Sequence, residues 1–300
     1  MASNPTISRR QALRMAITGS VAVASCVVAL SGPLALTIFA GQPTPTALLG
    51  VRTGTIPAGG PASAIPVVVE SMDPTTNRVQ ILSVAQMHRD GTPVLFVSET
   101  ISAFARLTDG TFLLAITPLP GTSQSGRPMR LTRLTQSSAI TVPSSGLSAL
   151  EQAASLLLTS DGRLLGLVGR RNGRPPNRIV QIDPQSASIS DYANVQLPAG
   201  QRYQSLAQCP DGQLYSTIVE NSGATSLVNL NTGSTVPLTF QGDVWNNGLA
   251  SLVCSASNQL FALGAPRGSW PNGVYVVDAA GGSMIRIGDF DVASLTLARA

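Results

Sequence analysis

One phrase recurs along this chain and limits what it can fold into. "SAFARLTDGTFLLA", "SLLLTSDGRLLGLVGR", "SLAQCPDGQLYS" and "SLVCSASNQLFA" each place two apolar runs on either side of a short polar turn. Asp109-Gly110, Asp161-Gly162 and Asp211-Gly212 fill the turn in three copies, and Ser257-Asn258 fills it in the fourth. Gly and Asn tolerate the positive φ that a tight hairpin imposes, so each phrase predicts two antiparallel strands. A second landmark accompanies the hairpins: "VESMDPTTN", "IVQIDPQSA", "LVNLNTGST" and "VYVVDAAGG". These put Asp73, Asp183, Asn231 and Asp278 at strand ends before a further turn. The steps from 183 to 231 and from 231 to 278 are 48 and 47 residues.

Four short strands repeating at that period resemble the blades of the β-propeller repeat superfamily, and the resemblance runs over nearly all of residues 45–300. No residue pattern leads to a specific propeller family. The chain ends supply the sharpest expectation. "VASLTLARA" at the C-terminus reads as an inner strand with no partner after it, whereas "ALLGVRTG" (residues 47–54) reads as the second strand of a hairpin lacking its first. Each completes the other, so the last strand is expected to close the ring in the first blade and leave no open inner edge. The expected fold is therefore all-β, a five-bladed β-propeller of four-stranded blades. Its blades are residues 46–83 with 292–300, then 101–143, 154–196, 204–240 and 249–290. A sixth hairpin at "MHRDGTPVLFVSE" is too close to its neighbours for a full blade, and Met87 to Glu99 reads as an inserted loop or ribbon.

The first 41 residues read as an export signal or membrane anchor, and residues 42–300 as the propeller domain. Ser8-Arg9-Arg10 precedes an uncharged stretch from Met15 to Gly41, which resembles a bacterial twin-arginine export signal carried by Arg9 and Arg10. Ala12 stands where that family usually has a bulky apolar residue. Cleavage after Ala40, lipidation at Cys26 and retention as an anchor through residues 15–40 all remain open. The expected location is across the bacterial inner membrane, in the periplasm or an equivalent lumen, with membrane contact only through this segment.

Apolar residues make up 43% of the 300, enough for a sizeable core, and only 11% are charged. All 19 basic residues are Arg, whose planar fork suits carboxylate, phosphate or sulfate. A net charge of +4 without a basic helix or Arg/aromatic interleaving gives no reason to expect nucleic acid. Cys209 and Cys254 with the single His88 do not make a zinc site, and no metal or cofactor is expected. The two cysteines fall near equivalent places on adjacent inner strands, so a disulfide and two buried thiols both remain open.

Propeller geometry turns the repeats into a surface map. Asp73, Asp109, Asp161, Asp183, Asp211 and Asp278 fall in turns on one rim, the bottom, where such side chains cap backbone N–H groups. The other rim, the top, gathers "GTSQSGRPMR", "GRRNGRPPNR", "GAPRGSWPNG" and "PAGQRYQ". The candidate binding residues there are Arg170, Arg171, Arg174, Arg202, Tyr203, Trp245, Arg267 and Trp270, with Arg127, Arg130 and Arg178 nearby. Such a face attracts anionic groups, and an exposed Trp stacks a sugar ring or an anchoring side chain. The plainer alternative is that loops collect charge and that one Trp plugs the rim against the other.

These features favour a non-enzymatic, monomeric binding or scaffold protein that recognises a protein partner or an anionic polysaccharide. The alternative is a carbohydrate-active hydrolase using carboxylates at the top of the central funnel, with Glu99, Glu151, Glu220 and Asp243 as the available groups. No nucleophile elbow or phosphate loop is present, and no catalytic residue is assigned.

Overall fold

The computed structural model describes residues 47–56, 64–88, 91–122, 126–135, 139–142, 146–171, 174–192, 197–267 and 271–298. The expected export segment, with Arg9 and Arg10, lies outside them. Among the described residues every regular element is a strand. The chain opens with β1 (Leu48–Thr53), β2 (Ala64–Ile65), β3 (Val67–Met72), β4 (Val79–Ala85) and β5 (Leu95–Phe96). Blade two is β6 (Glu99–Arg106), β7 (Phe112–Pro118), β8 (Arg130–Leu134) and β9 (Ala139–Val142). Blade three is β10 (Glu151–Leu158), β11 (Leu164–Arg170), β12 (Arg174–Ile182) and β13 (Ile189–Asp191). Blade four is β14 (Tyr203–Gln208), β15 (Leu214–Val219), β16 (Thr225–Asn229) and β17 (Thr235–Pro237). A small hairpin, β18 (Thr239–Phe240) and β19 (Asp243–Val244), precedes blade five. That blade is β20 (Ser251–Cys254), β21 (Leu260–Gly264), β22 (Gly273–Val277) and β23 (Ser283–Asp289), and β24 (Ser294–Leu297) ends the chain.

The sheets are those of a five-bladed β-propeller. Blade one has the order β24-β1-β3-β4, so its inner strand comes from the other end of the chain. Leu48 pairs with Leu297 and Val51 with Ser294 in antiparallel register. The ring closes as the unmatched terminal strands required. Blade five is wider than the others because β18 runs parallel to its outer strand β23 and carries β19 beyond it. Of the inserted residues between blades one and two, β5 pairs back onto β2, the short strand that precedes β3.

Local sequence explains the repetition. In the Asp-Gly turns Gly110, Gly162 and Gly212 take φ of +80°, +83° and +84°, and Asn258 takes +60°. Each hairpin is closed by the same pair of bonds: at Asp161-Gly162, the Thr159 N–H donates to the Arg163 carbonyl at 2.8 Å and the Gly162 N–H to the Thr159 carbonyl at 3.1 Å. The outer turns share another pattern. Asp73, Asp183 and Asp278 each accept the N–H two residues on, at 2.8, 2.8 and 3.0 Å. In blade four Asn229 takes this part, accepting the Asn231 N–H at 2.9 Å. The equivalent residue is thus Asn229 and not Asn231, because the turn is defined by the bond to the second following N–H.

Five apolar clusters fill the wedges between neighbouring blades. Leu49, Val51 and Val69 of blade one meet Phe104, Leu114 and Ile116 of blade two, and Phe261 and Leu263 of blade five meet Leu48 and Leu295 of blade one. Middle strands have a wedge on each face, which is why β11 and β21 read as unbroken apolar runs instead of alternating. The inner strands crowd together, and small polar residues suit them. Ser155, Ser205, Ser251 and Ser294 are all buried. Ser155 Oγ accepts the Leu206 N–H of the next blade at 3.2 Å, and Ser251 Oγ accepts the Leu295 N–H at 2.9 Å. One inner-strand seam is covalent: Cys209 of β14's end and Cys254 of β20 form a disulfide, their Cα atoms 5.1 Å apart. Two cysteines one step out of register on adjacent blades face one another because neighbouring sheets meet through opposite faces.

Candidate ligand-binding face

The top face is built from the starts of the first and third strands of each blade and the ends of the second and fourth. Blades two and three carry the same ionic staple there. Glu99, opening β6, receives the Phe96 N–H at 3.0 Å and Arg130 of β8 at 2.6 Å. Glu151, opening β10, receives the Ser148 N–H at 2.8 Å and Arg178 of β12 at 3.2 Å. Arg178 also pairs with Asp191. Burial pushes the Glu151 carboxyl up, but the Ser148 N–H and the Arg178 guanidinium outweigh it and hold the group below its usual range. Arg130 and Arg178 therefore serve the fold: they are neutralised inside their own blades. Glu70 and Arg52 pair likewise in blade one at 2.7 Å.

Other arginines remain outward. Arg127, Arg170, Arg174 and Arg267 are exposed. Arg170 and Arg174 stand directly opposite each other across β11 and β12, which puts two guanidinium stems on one face of the sheet, their Cβ atoms about 5 Å apart. Neither has an ion-pair partner among the described residues. Glu151 flanks Arg170 on its other side, yet its oxygens are already taken by Arg178 and Ser148. Arg171 is half-buried and donates to the Arg127 carbonyl, which ties the rims of blades two and three. Most of "GRRNGRPPNR" is strand: β12 begins at Arg174, and its two prolines are tolerated because β13 reaches only Val180–Ile182.

The aromatic part of the expected site falls elsewhere. Trp245 is only 3% exposed and packs edge-on against Phe240 and Tyr275, at centroid distances of 6.3 and 5.1 Å. Tyr203 is 1% exposed, and its hydroxyl donates to Gln201 at 2.7 Å. Both are wedge residues, since a large ring next to an interblade gap gains more from burial than from solvent. Trp270 lies outside the described residues. Arg202 is half-buried at the head of blade four, with no ion pair among the described residues. Of the carboxylates, Glu220 is exposed, and Asp243 sits on β19 at the far edge of its sheet from the inner strand β20.

A cleft that sequence reading missed lies at the top of blades four and five. Its volume is about 260 Å³, and Gln204, Asn247, Gly248, Ala250, Ala265 and Asn272 line it. Asn247 and Asn272 come from "WNNG" and "WPNG", the two places where a Trp is followed after one residue by Asn-Gly. That doubled pattern was the available signal, and its Asn in each case lines the cleft.

No protein-family profile and no curated protein matches the chain. Solved structures do resemble it. A GH43 β-1,3-galactosidase superposes with a TM-score of 0.53 at 6% identity, over 80% of this chain and 56% of that one. A protein of unknown function from Bacteroides caccae gives 0.46 at 11% identity, over 84% and 98% of the two chains. Another from Dyadobacter fermentans gives 0.48 at 10%, over 85% and 86%. At such identities what the galactosidase shares is the fold, and function has to be argued from the site.

Proposed function

We propose that this is an exported, non-enzymatic propeller that captures a protein partner or an anionic polysaccharide on the top rim of blades two and three. The observation that carries the reading is the cross-strand pair Arg170 and Arg174. Like charges directly opposite destabilise a sheet by about 0.2–1 kcal/mol, and an oxyanion bridging the two guanidinium groups turns that repulsion into two charge-assisted contacts. Arg171 and Arg127 extend the patch, whereas Arg130 and Arg178 are withdrawn from it by Glu99 and Glu151. The pairing of Glu151 supports binding over hydrolysis, because a carboxyl held below its usual range by an arginine and a backbone N–H is a poor general acid. The Cys209–Cys254 disulfide supports an oxidising compartment, and hence export.

The test is retention on immobilised dextran sulfate and on plain dextran. The native protein is expected to bind the sulfated polymer alone, with affinity falling as salt rises. Arg170→Ala with Arg174→Ala should weaken binding roughly tenfold or more without lowering the melting temperature, as loss of two charge-assisted contacts and of a like-charge pair implies. Undiminished retention by the double variant overturns the assignment.

A further inference from the structure

We propose that the cleft between blades four and five is a separate binding site for one uncharged, hydroxyl-rich ring of the size of a single sugar. The inference does not rest on the arginine rim. Its basis is the hydrogen-bonding character of the walls. Asn247 donates its Nδ2 to the Ala265 carbonyl at 2.8 Å, and Asn272 donates its Nδ2 to the Val292 carbonyl at 3.0 Å. These bonds fix the orientation of both amides, and neither Oδ1 has a partner among the described residues. The third amide, Gln204, has its Oε1 buried with no partner. Three amide oxygens thus stand around one cleft as acceptors without protein donors; only that of Gln204 is buried, and a buried oxygen in that state favours a ligand that brings an O–H or N–H group.

Small residues keep the space open. A Cβ on Gly248 would stand 1.8 Å from Gln204 Oε1, so only glycine lets that amide lie across the chain there. Gly248, Ala250, Gly264 and Ala265 contribute walls with at most one side-chain carbon each. At about 260 Å³ the cleft falls below the roughly 300–1,000 Å³ typical of drug-sized ligands.

Charge selects among donors. An anion would meet three oxygen lone pairs. A cation would meet the field of Arg202 and Arg267, each two residues in sequence from a lining residue. A neutral polyol satisfies the amide oxygens and is repelled by neither arginine, while the glycine and alanine walls accept the C–H face of its ring.

The experiment uses the disulfide-intact protein and saturation-transfer NMR, with the methyl glycosides of glucose, galactose and mannose as probes and methylguanidinium chloride as the cationic control. At least one glycoside should bind in the millimolar range. Ala250→Trp, at an exposed position, should abolish the signal by filling the cleft, and Gln204→Leu should weaken it about tenfold by removing one acceptor. The Arg170→Ala, Arg174→Ala variant should bind the glycoside as the native protein does, so failure of the rim and failure of the cleft are distinguishable. Absence of binding by all three glycosides, binding unaffected by Ala250→Trp in a protein that retains its melting temperature, or preference for methylguanidinium overturns the proposal.

Discussion

Side chains of one type do different work at the two rims. At the bottom, Asp161 is held below its ordinary range by the Thr159 hydroxyl, and Asp183 by the Gln185 N–H. Asp73 and Asp109 are shifted up by partial burial but further down by bonds from Thr75 and Thr111, and Glu151 at the top behaves similarly. All five carboxyls have folded-state values below their unfolded ones. Their contribution to stability is therefore complete above the unfolded range near pH 4 and is lost as pH falls through the depressed values. The urea midpoint is expected to be level from about pH 7 to 5 and to drop steadily below about pH 4. A midpoint unchanged down to pH 3 would show that these bonds contribute nothing to the folded state. The asparagine in the fourth hairpin has a further use: Asn258 accepts the Asp211 N–H at 3.2 Å and joins the turns of blades four and five.

Among the elements, β24 is the one on which ring closure depends. It supplies four paired positions to β1 and buries Leu295 in the wedge between blades five and one, where Val292, just before it in the chain, is buried too. Each of those side chains is worth about 1.5–3 kcal/mol of burial, and their loss would leave β1 as an unpaired inner edge. Removing residues 292–300 should lower stability by about 5 kcal/mol or more, a large part of what a typical domain has. Calorimetry decides the matter, and an unchanged melting temperature would mean that the first blade holds together without its inner strand. Leu295→Ala is the milder version, with an expected cost of about 2–5 kcal/mol. The outer edges differ too. β23 is covered by β18, and β13 and β17 have three residues each, but β4 runs for seven with Val79 and Ile81 exposed.

For the molecule as a whole, closure by β24 and one covalent seam add to the wedges. β24 joins the last blade to the first, and the disulfide joins blades four and five across 45 residues of chain. On the loop-entropy model such a bond is worth about 4 kcal/mol, and it forms only where thiols are oxidised. The export proposed from the paired arginines at the N-terminus would carry the chain to a compartment of that kind. Arg9→Lys with Arg10→Lys should block export through a twin-arginine pathway. Fractionation of the host cells would show it, and normal secretion of the variant would point to another route.

Much of the architecture was legible because it is written in local chemistry that repeats. Asp-Gly turns demand positive φ wherever they occur, strand lengths follow from the apolar runs between them, and the incomplete hairpins at the two ends have only each other as partners. Blade number, blade limits and closure follow from those facts. What the tertiary structure alone decided was the fate of side chains that several blades share. Trp245 and Tyr203 looked like rim residues by position, but the wedge between blades offered them burial. Arg130 and Arg178 looked free, but a glutamate two strands away in the same sheet claims each one. Gln204, Asn247 and Asn272 come from three separate stretches and form one cleft only when blades four and five are set side by side. Turn geometry depends on neighbours in sequence, whereas burial and pairing depend on neighbours in space, and at the seams of a ring those are different residues.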